Sequence, residues 1–238
     1  MINEKVYSAD TSLQQYILKV FTTMGMGLLI SAVVAIVCFF SLVNGGFMYK
    51  MISSGLYNIV FFGSAIAQIV ICISLGAKLG SMAPSKARML FFLYSAVTGF
   101  TFSVLPLQFG VASVFTAFLF AAVMFFSCAV IGHFTRVDMS RFSGILFGGL
   151  VALLLVSLVG MFVPAIGNSS MIAYVGIGIF MLMTAWDMQR IKSFYYQSAG
   201  NEVLTNNLAV YGAFDLYLDF INIFLYVLRL FAANNSDN

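Results

Sequence analysis

The sequence predicts an all-α, polytopic membrane protein with seven transmembrane helices, the last of them central and marked by a polar stripe. Three observations carry this. Hydrophobic residues make up 62% of the 238 residues and charged residues 8%, where a soluble domain has about 25% charged residues. Asp, Glu, Lys and Arg are missing from residues 20–49, 51–77, 89–135 and 142–186. A span takes about 20 apolar residues, so the two longest runs must each hold two helices. Turn signals divide those runs where a division is needed, at Pro106-Leu107-Gln108-Phe109-Gly110 and at Pro164-Ala165-Ile166-Gly167-Asn168-Ser169-Ser170.

Taken in order, residues 1–16 form a cytoplasmic N-terminal tail. Asn3, Glu4, Asp10 and two glutamines precede any apolar run, and no short cleavable core of a signal peptide stands among them. Ser12, with Gln15 three residues on, reads as a capping box opening the first helix. The seven-helix domain occupies 17–233, with segments at 18–43, 57–78, 88–106, 111–133, 142–164, 171–192 and 207–232. A short tail, 234–238, follows. The longest connection, 193–206, is polar. Gly144 with Gly148, and Gly176 with Gly178, suggest close helix contacts of the small-xxx-small kind.

Charge placement sets an orientation. Alternating the loops from a cytoplasmic N-terminus puts Lys5, Lys19, Lys78, Lys86, Arg88, Arg136, Arg141, Arg190 and Lys192 on the cytoplasmic side. Only Lys50 and Arg229 fall on the other side. Nine against two predicts N-terminus in and C-terminus out. The basic loops lack the interleaved aromatics of nucleic-acid binders, and no nucleic-acid partner is expected. Gly25 and Gly27 have no third glycine and no preceding strand, which excludes a dinucleotide loop. Cys38, Cys72 and Cys128 all fall inside spans and read as small packing residues. His133 ends the fourth span beside Arg136 in an interfacial role, and Trp186 fits an aromatic belt.

The chemistry concentrates in the last helix. Tyr211, Asp215, Asp219, Asn222, Tyr226 and Arg229 follow at steps of four, four, three, four and three. At about 100° per residue they share one arc of roughly 80°. A carboxylate at bilayer depth costs on the order of 2.5–3.5 kcal/mol. Two on one stripe therefore mark an ion or proton site facing protein or water. Lipid contact is expected on the opposite face, around Phe214, Ile221 and Leu225. A third intramembrane carboxylate is Asp187, in Thr184-Ala185-Trp186-Asp187-Met188-Gln189-Arg190. Two readings of Asp187 are open: a helix-end residue paired with Arg190, or a partner of Asp219 across a helix interface. Two carboxylates in a dry interior cannot both ionise cheaply, so such a pair senses protons. Fully ionised, the same groups are hard oxygen ligands suited to Ca²⁺. At 1.5 Å per residue, Asp187 lies about 6 Å inside the cytoplasmic end and Asp219 about 18 Å. They meet if the helices tilt or if the last helix begins below the membrane plane.

Three segments now resemble a known family. Ala185-Trp186-Asp187-Met188-Gln189-Arg190-Ile191-Lys192 is similar to its sixth-helix Ala-Tyr-Asp signature. Leu216-Tyr217-Leu218-Asp219-Phe220-Ile221-Asn222-Ile223-Phe224-Leu225, then Leu228-Arg229, resembles its seventh-helix signature, and Tyr94-Ser95-Ala96-Val97-Thr98-Gly99 its third-helix pattern. Together they resemble the Bax inhibitor-1 family, the transmembrane Bax inhibitor motif proteins. The resemblance implies a seven-helix fold with a central last helix and a pH-sensitive Ca²⁺ leak with no tightly bound cofactor. It also implies that Asp187 and Asp219 form a hydrogen-bonded dyad acting as pH sensor. Asp215 departs from the pattern as an added carboxylate, either a further transient Ca²⁺ ligand or a vestibule residue with Asn222, Tyr211 and Tyr226. The arginine by which bacterial members latch the sixth-helix aspartate from the second helix is absent. Lys78 is the candidate there, without an arginine's bidentate fork, and Arg190 is a candidate on the sixth helix itself. The acidic end Asn234-Asn235-Ser236-Asp237-Asn238 fits a bacterial plasma (inner) membrane.

Two competing functions are weighed. One is a regulatory membrane protein that binds a membrane protease or stress-response partner. The other is an intramembrane aspartyl protease, which Trp186-Asp187 and Gly212-Ala213-Phe214-Asp215 resemble superficially. Phe214 stands where that motif has a second glycine, and no proline follows Pro164, so a non-enzyme is expected.

Overall fold

A computed structural model describes residues 2–77, 82–160, 163, 169–198 and 200–235. Among them the regular structure is helical, with no strand. Seven helices are long and apolar enough to cross a membrane: Ser12–Val43, Leu56–Ala77, Pro84–Phe109, Val111–Phe134, Met139–Gly160, Ser170–Gln197 and Glu202–Phe231. They are numbered here as spans one to seven. A helix satisfies all its backbone polar groups internally, which hydrocarbon demands. The bounds of spans two to five fall within about a turn of those predicted. The break at Pro106 appears as a short helix, Leu105–Phe109, closed by Gly110 at φ +81°. That at 164–170 lies largely outside the described residues.

Polar sequence hides helix in two places. The first helix runs Ile2–Val43, so Ser12 lies within it and caps nothing; its hydroxyl is hydrogen-bonded to that of Tyr195. The stretch 193–206, read as a loop, is mostly helical, because the sixth helix continues to Gln197 and the seventh opens at Glu202. Asn201 caps that opening by accepting from the Leu204 amide at 3.0 Å. Hydropathy marks where apolar surface ends, not where the hydrogen-bond ladder ends. A seven-residue helix, Phe47–Ser53, fills the first connection between Gly45 and Gly55, both at positive φ. It seats Met48 and Met51 against Leu42.

The seventh span is the enclosed one. Its most apolar window is 67% buried, against 44% for the sixth and 11% for the second and fifth. The expected lipid face is therefore absent at Phe214, which is 2% exposed and packs edge-on against Phe91 and Tyr94. Lipid-type surface lies instead on the second span, where Ile59, Phe62, Ile66, Ile69 and Ile73 are exposed.

The chain divides into two compact units. The first comprises Met1–Gln108 and Ile191–Tyr217, the second Phe109–Arg190 and Leu218–Asn238. In the first, Gly99 lets the first and third spans touch through their backbones: a Cβ there would stand 2.9 Å from Val34 Cβ and 3.0 Å from Ser31 Cα. In the second, the fourth span presents Ala117, Ala121, Phe125, Cys128, Ala129 and Gly132 as its buried side. A Cβ on Gly132 would lie 2.7 Å from Ala185 Cα. Gly176 accommodates the Tyr226 ring. The other expected glycine contacts do not occur: a Cβ on Gly144, Gly148 or Gly178 would meet nothing within 4 Å. Gly144 and Gly148 are both exposed, so close approach belongs to the glycines that point at another helix. Of the cysteines, Cys128 is buried and Cys38 half-buried, in keeping with packing, whereas Cys72 is exposed.

Candidate functional site, a buried carboxyl pair

Asp187 is fixed from both sides along the sixth span. Two residues before it, Ala185 rests against Gly132 of the fourth span. Two residues after it, Gln189 forks onto the connection between the fourth and fifth spans. Its amide donates to the Val137 carbonyl at 2.7 Å, and its oxygen accepts from the Met139 amide at 3.0 Å. Asp219 is carried by the seventh span beside Phe220, whose ring meets Phe118 and Phe125 edge-on. Asp187 is 4% exposed and Asp219 2%, and their side chains are hydrogen-bonded to each other. Such a bond between two carboxyls needs one of them to hold a proton, since an ionised carboxylate only accepts.

Arg190 completes the site. Its Nη1 donates to Asp187 Oδ1 at 3.2 Å, and its guanidinium lies 5.2 Å from the Trp186 ring centre. Trp186 therefore supports the arginine by a cation–π contact rather than only lining an interface. The two open readings of Asp187 are compatible: it pairs with Arg190 on its own helix and with Asp219 across the interface.

The remaining stripe is less enclosed. Tyr211, Asp215, Asn222, Tyr226 and Arg229 are half-buried. Asn222 donates to the Leu218 carbonyl at 2.8 Å, Tyr211 lies beside Phe194, and Tyr226 beside Phe180. Asp215 is within electrostatic reach of Cys72 on the second span. Among the described residues no three side chains from His, Cys, Asp and Glu converge. Lys78 lies outside the described residues. Sequence reasoning singles out neither Gln189 nor Gly132. The fourth span's spacing of small residues carries a signal for Gly132, whereas a polar residue at a span end carries none for Gln189.

Comparison with known proteins extends over the same length. The family model described as inhibitor of apoptosis-promoting Bax1 matches residues 13–236. The inner membrane protein YbhL of Escherichia coli is 33% identical over 232 residues, covering 96% of each chain. A protein of Rickettsia prowazekii is also 33% identical, over 96% of this chain and 93% of its own. A membrane protein of Streptococcus pyogenes is 32% identical over 95% and 96% respectively. With seven helices long and apolar enough to cross a membrane and a family match over residues 13–236, the chain belongs to the Bax inhibitor-1 family of membrane proteins.

Proposed function

We propose that this protein is a pH-sensitive leak for Ca²⁺, with Asp187 and Asp219 as its proton-sensing gate. The observation that supports this is the buried, mutually hydrogen-bonded carboxyl pair on two neighbouring spans. Holding one proton, the pair carries a single negative charge, which Arg190 faces. A second proton removes that charge. Loss of the first leaves two like charges, which at about 4 Å and an effective dielectric near 20 repel by about 4 kcal/mol. Each change alters the force between the sixth and seventh spans, so proton uptake is converted into helix displacement. The ionised pair also offers the hard oxygens that Ca²⁺ selects. Tyr211, Asp215, Asn222 and Tyr226 continue the stripe of Asp219 along the seventh span.

The membrane assigned is the bacterial inner membrane, supported by the name of the Escherichia coli relative. The N-terminus is cytoplasmic and the C-terminus outside, on the nine-to-two distribution of Lys and Arg. The test is Ca²⁺ entry into liposomes containing the purified protein, followed with an internal dye from pH 5 to 8. Entry above that of empty liposomes, varying across this range, is expected. No entry at any pH overturns the leak and leaves a partner-binding role.

A further inference from the structure

The third-span motif Tyr94-Ser95-Ala96-Val97-Thr98-Gly99 takes no part in the carboxyl pair, yet its side chains meet in a buried network of hydroxyls. Tyr217 and Ser95 are fully buried, and Thr98 and Ser31 nearly so. Ser31 Oγ lies 2.7 Å from the Tyr217 hydroxyl, 2.7 Å from the Ser95 carbonyl oxygen and 3.1 Å from the Gly27 carbonyl oxygen. Ser95 Oγ donates to the Phe91 carbonyl at 3.0 Å and Thr98 Oγ1 to the Tyr94 carbonyl at 3.0 Å, beside the Tyr217 hydroxyl. Gln68 donates to Thr98 Oγ1 at 2.9 Å. The first, second, third and seventh spans thus each contribute, near their middles.

Proton bookkeeping gives the chain a direction. Ser31 has one proton, and the two carbonyls beside it can only accept. Ser31 therefore donates to them, the Ser95 carbonyl being the nearer, and the Tyr217 hydroxyl donates to Ser31. The arrangement exists in one register only. One turn either way along the first span, Ser31 is replaced by Gly27 or Ala35, neither of which has a side-chain oxygen. A slide of that span would break the 2.7 Å bond between the Tyr217 hydroxyl and Ser31, which is costly in a buried position. The close fit of Gly99 on Ser31 and of Gly27 on Phe91 leaves little room for intermediate positions. Hydroxyl bonds that merely glue helices together do not need a directed chain through three spans with a single permitted register.

We propose that the chain Tyr217–Ser31–Ser95 carbonyl is a hydrogen-bonded bolt that holds the first span in its closed position, setting basal flux independently of the carboxyl pair. This rests on the leak reading above. Tyr217→Phe keeps the ring that packs on Phe91 and Tyr94 and removes only the donor. It is expected to raise Ca²⁺ entry into liposomes several-fold at every pH from 5 to 8, with the midpoint unmoved. Ser31→Ala should do the same, and the double variant no more than either. It also stands in for Tyr217→Phe should that variant not fold. The control is Ser103→Ala, which removes a hydroxyl on a fully buried residue that donates to the Phe100 carbonyl of its own span. If the wild type leaks and neither bolt variant exceeds the control, the bolt is overturned. If the wild type does not leak, the earlier reading fails and amide hydrogen exchange of residues 27–35 in nanodiscs decides. Faster exchange in Tyr217→Phe than in Ser103→Ala supports the bolt, and equal exchange overturns it.

Discussion

Asp187 of the sixth span and Asp219 of the seventh are hydrogen-bonded to each other while Arg190, one turn beyond Asp187, grips one of its oxygens at 3.2 Å. An acid pair with a cation on one member is asymmetric. Asp187 has a permanent countercharge, and Asp219 has a partner that depends on protonation.

That coupling predicts non-additive mutations. Removing either carboxylate abolishes the like-charge repulsion felt by the other. Asp187→Asn and Asp219→Asn should each flatten the pH profile of Ca²⁺ entry between pH 5 and 8, and the double variant should do little more. Asp215→Asn should change the amount of flux and leave the profile's shape. Unchanged profiles in both single variants would sink the sensor assignment.

Arg190 should tune the same profile. Removing a cation from beside a carboxylate favours the protonated form, by about one pH unit or more. Arg190→Gln is therefore expected to move the midpoint of flux upward by about one pH unit, and Arg190→Lys by less. Trp186→Leu, which removes the ring beside the guanidinium, should shift it in the same direction. A midpoint that stays put in Arg190→Gln would show that the ion pair is ornamental.

Asp138 supplies the internal control. It caps the 3₁₀ turn Met139–Phe142, and hydrogen bonds from the Ser140 side chain and backbone hold its carboxyl below the ordinary range, with a smaller contribution from Arg141. A depressed value means that its contribution is present above the unfolded value near 3.9 and is lost only as pH falls below that. Asp138 is thus ionised throughout pH 5–8. Asp138→Asn should leave the pH profile of flux unchanged across that window; a displaced profile would mean that the pH response does not reside in the buried pair.

The carboxyl pair was legible because charges inside apolar helices stand out against their surroundings. Arg190 was legible by its spacing of three. The hydroxyl network of Ser31, Ser95, Thr98 and Tyr217 was not, since single hydroxyl groups are cheap in any span and only a structure shows them converging. Nor could sequence separate Gly132 from Gly148. Both are glycines within apolar helices, and which one meets a neighbour depends on how each helix is rotated. Phe214 failed for a related reason: an apolar residue opposite a polar stripe faces lipid only if nothing packs there, and here Phe91 and Tyr94 do.

Orientation is tested directly. A cysteine introduced at Ser236 should react with a membrane-impermeant thiol reagent in intact spheroplasts, in a background lacking Cys38, Cys72 and Cys128. Reaction only after lysis would put the C-terminus inside and contradict the charge count.

The glycine contrast tests the packing that positions Asp187. A Cβ on Gly132 would meet the backbone of Ala185, which cannot swing aside as a side-chain tip can. Gly132→Val should therefore push the fourth and sixth spans apart, costing about 1–3 kcal/mol, the usual penalty of overpacking. Because Ala185 lies two residues from Asp187, the same change should also disturb the carboxyl pair and alter the pH profile of any protein that remains folded. Gly148→Val places a larger side chain where nothing lies within 4 Å and should leave both thermal stability in detergent and the profile near wild type. Equal losses in the two variants would mean that the fourth and sixth spans do not meet at Gly132, and the placement of Asp187 would lose its support.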